Sequence, residues 1–223
     1  MKVVVTAGPT REFVDPVRFL SNPSTGKMGF AIAAEAARRG HGVVLVAGPV
    51  SLPTPRGARR VDVVSAREMC AAVLAAVGPS DRPSEPVVVV SAAAVADWRP
   101  ARCAAKKLKK DRMDGTLRLV RNPDILKTLS RRAARSRGRL RLVGFAAETG
   151  DALAEAARKC REKGLSFIVA NDVTEPGAGF GVDTNRVSIV YPDGSAEHLP
   201  LMSKRAVARR IVVAVERHLG VLP

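Results

Sequence analysis

Short, uninterrupted apolar runs alternate with alanine-rich stretches along most of the chain, and this alternation constrains the fold more than any other feature. Lys2 to Thr6 is a β-rich run. Met28 to Arg39 is alanine-rich and stops at Gly40, the pattern of a helix with a glycine terminator. Val43 to Ala47, Arg60 to Val64, Val87 to Val90, Leu140 to Phe145 and Phe167 to Val169 read as further strands. Ala66 to Ala76 and the stretch DALAEAARKCREKG read as helices between them. Runs without polar alternation are what strands covered on both faces look like. Repeated β-α alternation then predicts an α/β fold with a Rossmann-like, doubly wound, mostly parallel sheet.

Two regions depart from the alternation. Val187 to Leu199 holds two alternating segments around Asp193-Gly194, a strong hairpin signal, so a C-terminal β-hairpin is expected. Arg99 to Arg121 is long, basic and irregular, running through KKLKK to LRLVR. A long loop inside a compact domain tends to be a lid or a binding loop, and a mobile basic loop is expected here. The last segment places Val207, Ile211, Val215 and Leu219 four residues apart, the apolar face of a closing helix. The turn-rich Pro79 to Pro86 is too short for a domain linker. One domain over residues 1–223 follows, a length that supports a full-sized core.

Charge narrows the partners. Lys and Arg number 37 against 21 Asp and Glu, a formal net charge of +16, which favours phosphate-bearing ligands. Part of that charge sits in RRAARSRGRLR, Arg131 to Arg141, whose plain reading is a solvated face. The three cysteines, Cys70, Cys103 and Cys160, are odd in number and widely spaced, so neither a disulfide framework nor a CxxC metal pair is expected. No apolar run approaches transmembrane length, and the first residues do not read as a signal peptide. A soluble cytoplasmic protein without a membrane partner is expected. His41, His198 and His218 have no partner spacing and are given no chemistry.

In open α/β sheets ligands bind beyond the carboxyl ends of the strands. The segments there are AGPTREFVDPVRFLSNPSTGKMG, SAAAVADWRP, AAETGD and NDVTEPGAGFGVDTNR, all rich in small or polar residues. They should meet on one rim. Backbone N–H groups from Thr25 to Met28 open a helix, where unpaired donors favour an anion, and Lys27 adds a full charge. The spacing is not that of a Walker loop: Ser21 stands where the first glycine belongs, and Met28 where Ser or Thr belongs. Phosphate binding and an ordinary glycine turn both fit. Asp97, after a run of small residues, suits a metal-bound phosphate, a ribose hydroxyl or a simple cap. Lys106, Lys107, Lys109 and Lys110 form either a solvated run or a lid that brings ammonium groups to a polyphosphate. Asn122-Pro123-Asp124 reads as a helix cap. Lys159 and Lys163 share a helical face. Met28 and Phe30 read as helix core. With no nucleophile triad or metal cluster visible, the chemistry reads as electrostatic transfer at phosphorus.

Taken in order, AGPTREFVDPVRFLSNPSTGKMG, AAAVADWRP, KKLKK, NPDIL, GFAAET and AND…GFGVDTNRV resemble the bacterial phosphopantothenate–cysteine ligase family over nearly the whole chain. The resemblance implies ligation of 4′-phosphopantothenate to L-cysteine in coenzyme A synthesis. CTP is the co-substrate, an acyl-cytidylate the intermediate, and pyrophosphate and CMP the released products. It implies that Asn22 contacts the intermediate, that Arg18 is needed nearby, and that Lys107 serves the second half-reaction. It implies nucleotide contacts at Ser91, Ala92, Ala93, Asp97, Lys107, Asn122, Pro123, Asp124, Ile125, Phe145, Lys159 and Lys163. Gly8 and Gly26, with Lys27, would complete a phosphate cradle. Pro23 departs from some family members and would stiffen the loop. The resemblance further implies Mg²⁺ with the triphosphate, its ligands unassigned, and a homodimer, with the hairpin near Asp193 and the strand near Leu117 as candidate contacts. In most bacteria such a domain follows a flavin-dependent decarboxylase, fused or separate here.

Two other classes compete. A dinucleotide-dependent Rossmann oxidoreductase would share the sheet, but GxGxxG is missing after the first strand and VAGP offers no acidic ribose reader after the second. A nucleic-acid binder would suit the charge, but one Trp, one Tyr and six Phe make a poor stacking platform, so no nucleic-acid partner is expected.

Overall fold

The computed structural model describes residues 1–109, 115–148, 152–172 and 175–219; Lys110 lies outside them. In chain order the elements are β1 (Lys2–Ala7), β2 (Arg11–Phe13), β3 (Phe19–Ser21), α1 (Lys27–Arg38), β4 (Gly42–Ala47), β5 (Ala58–Asp62), α2 (Ala66–Val77) and β6 (Val87–Ser91). Then come β7 (Trp98–Pro100), β8 (Leu119–Arg121), α3 (Ile125–Arg135), β9 (Leu140–Glu148), α4 (Ala152–Glu162), β10 (Phe167–Asp172), β11 (Thr184–Asn185), β12 (Ser188–Val190), β13 (Ala196–His198), β14 (Met202–Ser203) and α5 (Lys204–His218).

An eight-stranded sheet runs β13-β12-β10-β9-β6-β1-β4-β5. Its six central strands are parallel, and β12 and β13 add an antiparallel edge. Numbering the parallel strands in chain order gives 6-5-4-1-2-3, the doubly wound arrangement whose order reverses between β1 and β6. Successive side chains of a strand point to opposite faces, and here both faces are covered. Val3, Val5 and Ala7 of β1 face a layer that includes Phe30 and Ile32 of α1 and Ile211 of α5. Val4 faces a second layer with Met69 of α2, Leu129 of α3 and Cys160 of α4. Burying a side chain such as Ile32 or Ile211 contributes about 1.5–3 kcal/mol relative to exposure.

The helices start where the sequence supplies caps. Ser65 Oγ accepts from Glu68 N at 3.2 Å while Glu68 reaches back to Val64 N at 2.8 Å, which satisfies two donors the helix cannot. Asp124 and Ser203 cap α3 and α5 by the one-way bond alone, accepting from Lys127 N and Ala206 N. The expected hairpin forms β12 and β13, with Gly194 at φ +92° in its turn. The strand expected at Arg60 to Val64 instead pairs over Ala58–Asp62. Its partner β4 sets that register, Val43 lying opposite Ala58 and Ala47 opposite Asp62.

The arginine-rich Arg131 to Arg141 is not simply a solvated face. Arg132 donates to Gly78 O at 2.6 Å and Ser80 O at 2.8 Å and pairs with Asp81. Arg139 donates to Ser84 O at 2.5 Å. Together they hold the proline-rich connection before β6 against α3 and β9. No helix among the described residues is long and apolar enough to cross a membrane.

Candidate functional site

Where the strand order reverses, the chain beyond β1 and the chain beyond β6 run side by side. Ala94 N donates to Gly8 O at 2.9 Å, and Pro9 bridges Ala94. Two threonines fix the small-residue run to β1 and its extension: Ala93 N donates to Thr6 Oγ1 and Ala96 N to Thr10 Oγ1. A cavity of about 520 Å³ opens at this point, with walls from the segments following β1, β6 and β10 and from the end of β9. That volume suits a small-molecule site, and the expected convergence of the strand-end loops is what builds it.

The floor is the start of α1. Gly26 occupies its N-cap with φ +77°, and no side chain caps the helix. Gly26 lies against Gly8: a Cβ at Gly26 would stand 3.3 Å from Gly8 N. Gly29, in the first turn of the helix, touches β1 so closely that a Cβ would be 2.5 Å from Ala7 Cβ and 2.9 Å from Thr6 O. These contacts bring the first N–H groups of α1 to the strand ends, where they face the cavity as donors for an anion.

Of the residues singled out in the sequence, Asn22, Gly26, Lys27, Ala92, Ala93, Asp97, Phe145, Lys159 and Lys163 line this cavity. Asn22 is oriented by its Nδ2 donating to Ala94 O at 3.0 Å. The others named lie around it without lining it. Gly8 sits beneath Gly26, and Ser91 ends β6. Asn122 holds the turn that carries Asp97, its Nδ2 donating to Ala96 O at 2.8 Å and its N–H to Asp97 O at 2.8 Å. Asp124 caps α3 and pairs with Lys163 at 2.8 Å. Pro123 is partly exposed, and Ile125 is buried under α3. Met28, expected as helix core, lines the cavity as well, because the first turn of α1 is its floor.

Arg18 and Lys107 belong to a strap beside the site. Fully buried Asp15 accepts from Arg18 Nη2 at 2.6 Å and from Leu108 N at 3.1 Å, and Arg18 also donates to Leu108 O at 2.8 Å. Ala104 N donates to Val14 O. The basic segment is thus tied down next to Lys107, which is exposed. The Arg18 guanidinium, with backbone donors, holds the Asp15 carboxyl far below the usual carboxylate range against the opposing effect of burial.

Sequence reasoning missed Ser24, Asn171, Phe180, Asn185 and Lys204, all of which line the cavity, and named Thr25, which also lines it, only for its backbone N–H. Thr25 Oγ1 donates to Phe180 O at 2.7 Å, and Lys27 pairs with Asp183 at 2.7 Å and reaches Gly181 O at 3.2 Å. The Gly-rich 177–181 turn is therefore fastened over the start of α1. Its signal was GAGFGVDTNR itself, long and glycine-rich, but the spacing does not say which side chains turn inward. Among the lining residues there are four lysines, Lys27, Lys159, Lys163 and Lys204, against one carboxylate, Asp97. The described residues contain no group of three His, Cys, Asp or Glu that could hold a metal.

Comparison with known proteins agrees with this geometry. The family described as the DNA/pantothenate metabolism flavoprotein C-terminal domain matches residues 1–219. The Coenzyme A biosynthesis bifunctional protein CoaBC of Vibrio vulnificus (strain YJ016) is 44% identical over 220 residues, 98% of this chain and 52% of that protein. The protein of the same name from Bacillus subtilis (strain 168) is 48% identical over 211 residues, 94% of this chain and 50% of that one. The chain thus spans about half the length of these curated relatives. The crystal structure of the C-terminal domain of Coenzyme A biosynthesis bifunctional protein CoaBC superposes with a TM-score of 0.78 at 39% identity, covering 98% of this chain and 95% of that one. With the doubly wound sheet, the cavity at its switch point and a match over nearly every residue, the chain belongs to the family of the DNA/pantothenate metabolism flavoprotein C-terminal domain.

Proposed function

We propose that this domain ligates 4′-phosphopantothenate to L-cysteine with CTP as the activating nucleotide. The observation that carries the reading is a switch-point cavity whose lining combines an uncapped helix N-terminus, four lysines and one carboxylate. Such a lining suits substrates that bring several phosphate charges together. Family membership and the half-length match to bifunctional coenzyme A biosynthesis proteins support it.

In this reading a carboxylate oxygen of 4′-phosphopantothenate attacks the α-phosphorus of CTP. The bond from that phosphorus to the bridging oxygen breaks, and pyrophosphate departs. The cysteine amine then attacks the acyl carbon of the resulting anhydride, loses a proton and expels CMP. Asn22, fixed by Ala94 O, would orient the acyl-cytidylate. Phe145, Ala92 and Ala93 would line the nucleoside, with Ser91 and the Asn122 to Ile125 segment supporting that wall. Lys159 and Lys163 would face the triphosphate, and Gly8, Gly26 and Lys27 would cradle a phosphate. Lys107, on the strap that Asp15 and Arg18 secure, would neutralise charge in the amide-forming step.

Mg²⁺ would accompany the triphosphate. Such an ion uses few protein carboxylates and many phosphate oxygens, and Asp97 is the lining carboxylate suited to it. When bound it neutralises charge on the departing pyrophosphate. A second copy of the chain would cover the β2–β3 and β7–β8 ribbons, where Val17, Phe19, Leu20, Trp98 and Leu119 are exposed together with Arg11 over Phe19 and Arg121 over Trp98. The Asp193 hairpin has no exposed large apolar side chain, so the ribbon near Leu117 is the better contact. A flavin-dependent decarboxylase, fused or separate, is the expected neighbour in the pathway, and the cytoplasm the expected location.

The test is pyrophosphate release with Mg²⁺ and CTP or ATP, with and without 4′-phosphopantothenate. Release that requires the acid and prefers CTP supports the reading. Absence of release with either nucleotide refutes it.

A further inference from the structure

Three of the four lysines at the cavity have a carboxylate partner: Lys27 has Asp183 at 2.7 Å, Lys163 has Asp124 at 2.8 Å and Lys159 has Glu155 at 3.4 Å. Lys204 does not. It is 94% buried, its relative exposure being 6%, and among the described residues no acidic group lies within ion-pair distance. Its Nζ donates to Gly179 O at 2.8 Å and Phe180 O at 3.2 Å, which uses two of its three protons.

Its position is unfavourable for a cation in three respects. Burial removes water from the charge. Lys204 is the first residue of α5, directly after the Ser203 cap, and the helix dipole repels positive charge there. Lys27 lies near enough to oppose it as well; burial first, and Lys27 second, push the Lys204 ammonium below its ordinary value, with Asp183 acting weakly the other way. Two carbonyls are a small return for that combination. Next to it is a second anomaly. Asn185 is 4% exposed and lines the same cavity, yet among the described residues its Oδ1 finds no hydrogen-bond donor. Asn185 of β11 pairs with Met202 of β14, the strand that leads into Lys204. An amide whose oxygen is left unsatisfied at a cavity wall can offer a ligand that oxygen or, turned over, its NH2.

We propose that Lys204, with Asn185 beside it, forms an anion subsite that takes a phosphate group of a substrate opposite Lys27 and the N-terminus of α1. A phosphate there would satisfy the remaining Lys204 proton, face the Asn185 amide and offset the Lys27–Lys204 repulsion in one step. The inference rests on the ligase reading for the identity of the substrates. The shared chemistry is a phosphate monoester or polyphosphate, carried by either the nucleotide or the phosphorylated acid.

The experiment compares wild type, Lys204→Met and Thr184→Val. Thr184 Oγ1 ties the same turn through Gly177 O at 2.6 Å without lining the cavity, so its variant loosens the turn without removing charge. Calorimetric titration with inorganic pyrophosphate, KM for CTP, KM for 4′-phosphopantothenate and the ligand-free thermal midpoint are measured for each. The subsite predicts that Lys204→Met raises at least one KM by about tenfold or more, as expected for losing a charge-assisted hydrogen bond. A rise in the CTP KM, with matching loss of pyrophosphate binding, assigns the subsite to the nucleotide; a rise confined to 4′-phosphopantothenate assigns it to the acid. The ligand-free midpoint should hold or rise, since a frustrated buried charge has gone. A purely structural lysine would lower it. The subsite is overturned if pyrophosphate binding and both KM values stay within about twofold, or if Thr184→Val reproduces the loss. A wild type that binds pyrophosphate but forms no amide would refute the ligase reading and leave the subsite to stand on the titration.

Discussion

Replacing Gly29 by alanine sets two effects of similar size against each other. Alanine favours a helix over glycine by about 1 kcal/mol, and a buried methyl adds about 0.8 kcal/mol. Against this, the new Cβ would lie 2.5 Å from Ala7 Cβ and 2.9 Å from Thr6 O. Both belong to the central strand β1, whose ladders to β4 and β6 prevent it from yielding. Apolar carbons settle at about 3.5–4.0 Å, so the start of α1 must lift by about 1 Å. Overpacking of this kind costs typically 1–3 kcal/mol, and the lift also loosens Phe30 and Ile32 beneath the helix. With rigid β1 atoms as the obstacle the strain falls at the upper end of that range, about 3 kcal/mol against a combined gain of about 1.8, so the net loss should be about 1 kcal/mol, a fall of about 2–4 °C in Tm for a chain of this size. The functional loss is larger, because the donors facing the cavity move with the helix and a 1 Å misplacement can cost about 10²-fold. Thermal melts and CTP kinetics on Gly29→Ala, with Gly42→Ala as control, measure both. A Cβ at Gly42 meets nothing within 4 Å, so that variant should behave as wild type. A Gly29→Ala protein with raised Tm and unchanged CTP kinetics would refute the reasoning.

Glu216 is buried between Arg39 at 2.5 Å and His41 at 2.8 Å. Burial raises its carboxyl, but the Arg39 and His41 hydrogen bonds outweigh it, so the folded pKa is lowered. A lowered acid pKa stabilises above the unfolded value of about 4.3 and the contribution is lost as pH falls through the folded pKa. Glu216→Gln should cost about 2 kcal/mol at neutral pH, below the ~3–5 of fully buried pairs because Arg39 is partly exposed, and acid titration of Tm below about pH 4 should be shallower than in wild type. Asp15→Asn removes the acceptor that fixes Leu108 N and Arg18. Tryptic cleavage after Lys106 or Lys107 should accelerate severalfold, and the amide-forming step should slow. Trp98→Glu places a charge in the exposed apolar ribbon; if the proposed second copy covers that ribbon, light scattering should show a shift from dimer to monomer.

The sheet was legible because each parallel strand is an uninterrupted apolar run, and such runs have few other uses. Strand ends were less so: the register of β5 follows β4 rather than its own residues. The ribbons β2–β3 and β7–β8 are three-residue strands, too short for any periodicity to register. At the site, residues clustered in a single motif could be placed together, Gly26 and Lys27 from the turn before α1 and Asn22 from the resemblance, and all three line the cavity. Lys204 and Asn185 could not, since their meaning depends on burial and on the absence, among the described residues, of an acid for Lys204 and of a donor for Asn185 Oδ1. Arg18 and Asn122 act through backbone carbonyls of segments distant in sequence, and no spacing rule reports such contacts.

The central claim is that the acid's own carboxylate oxygen attacks the α-phosphorus of CTP. The direct measurement uses 4′-phosphopantothenate labelled with ¹⁸O in the carboxylate, turned over with CTP and L-cysteine, followed by mass spectrometry of the products. Attack at the α-phosphorus predicts one ¹⁸O in CMP and none in pyrophosphate. Label in released phosphate or pyrophosphate, or amide formation with unlabelled CMP, would contradict the account.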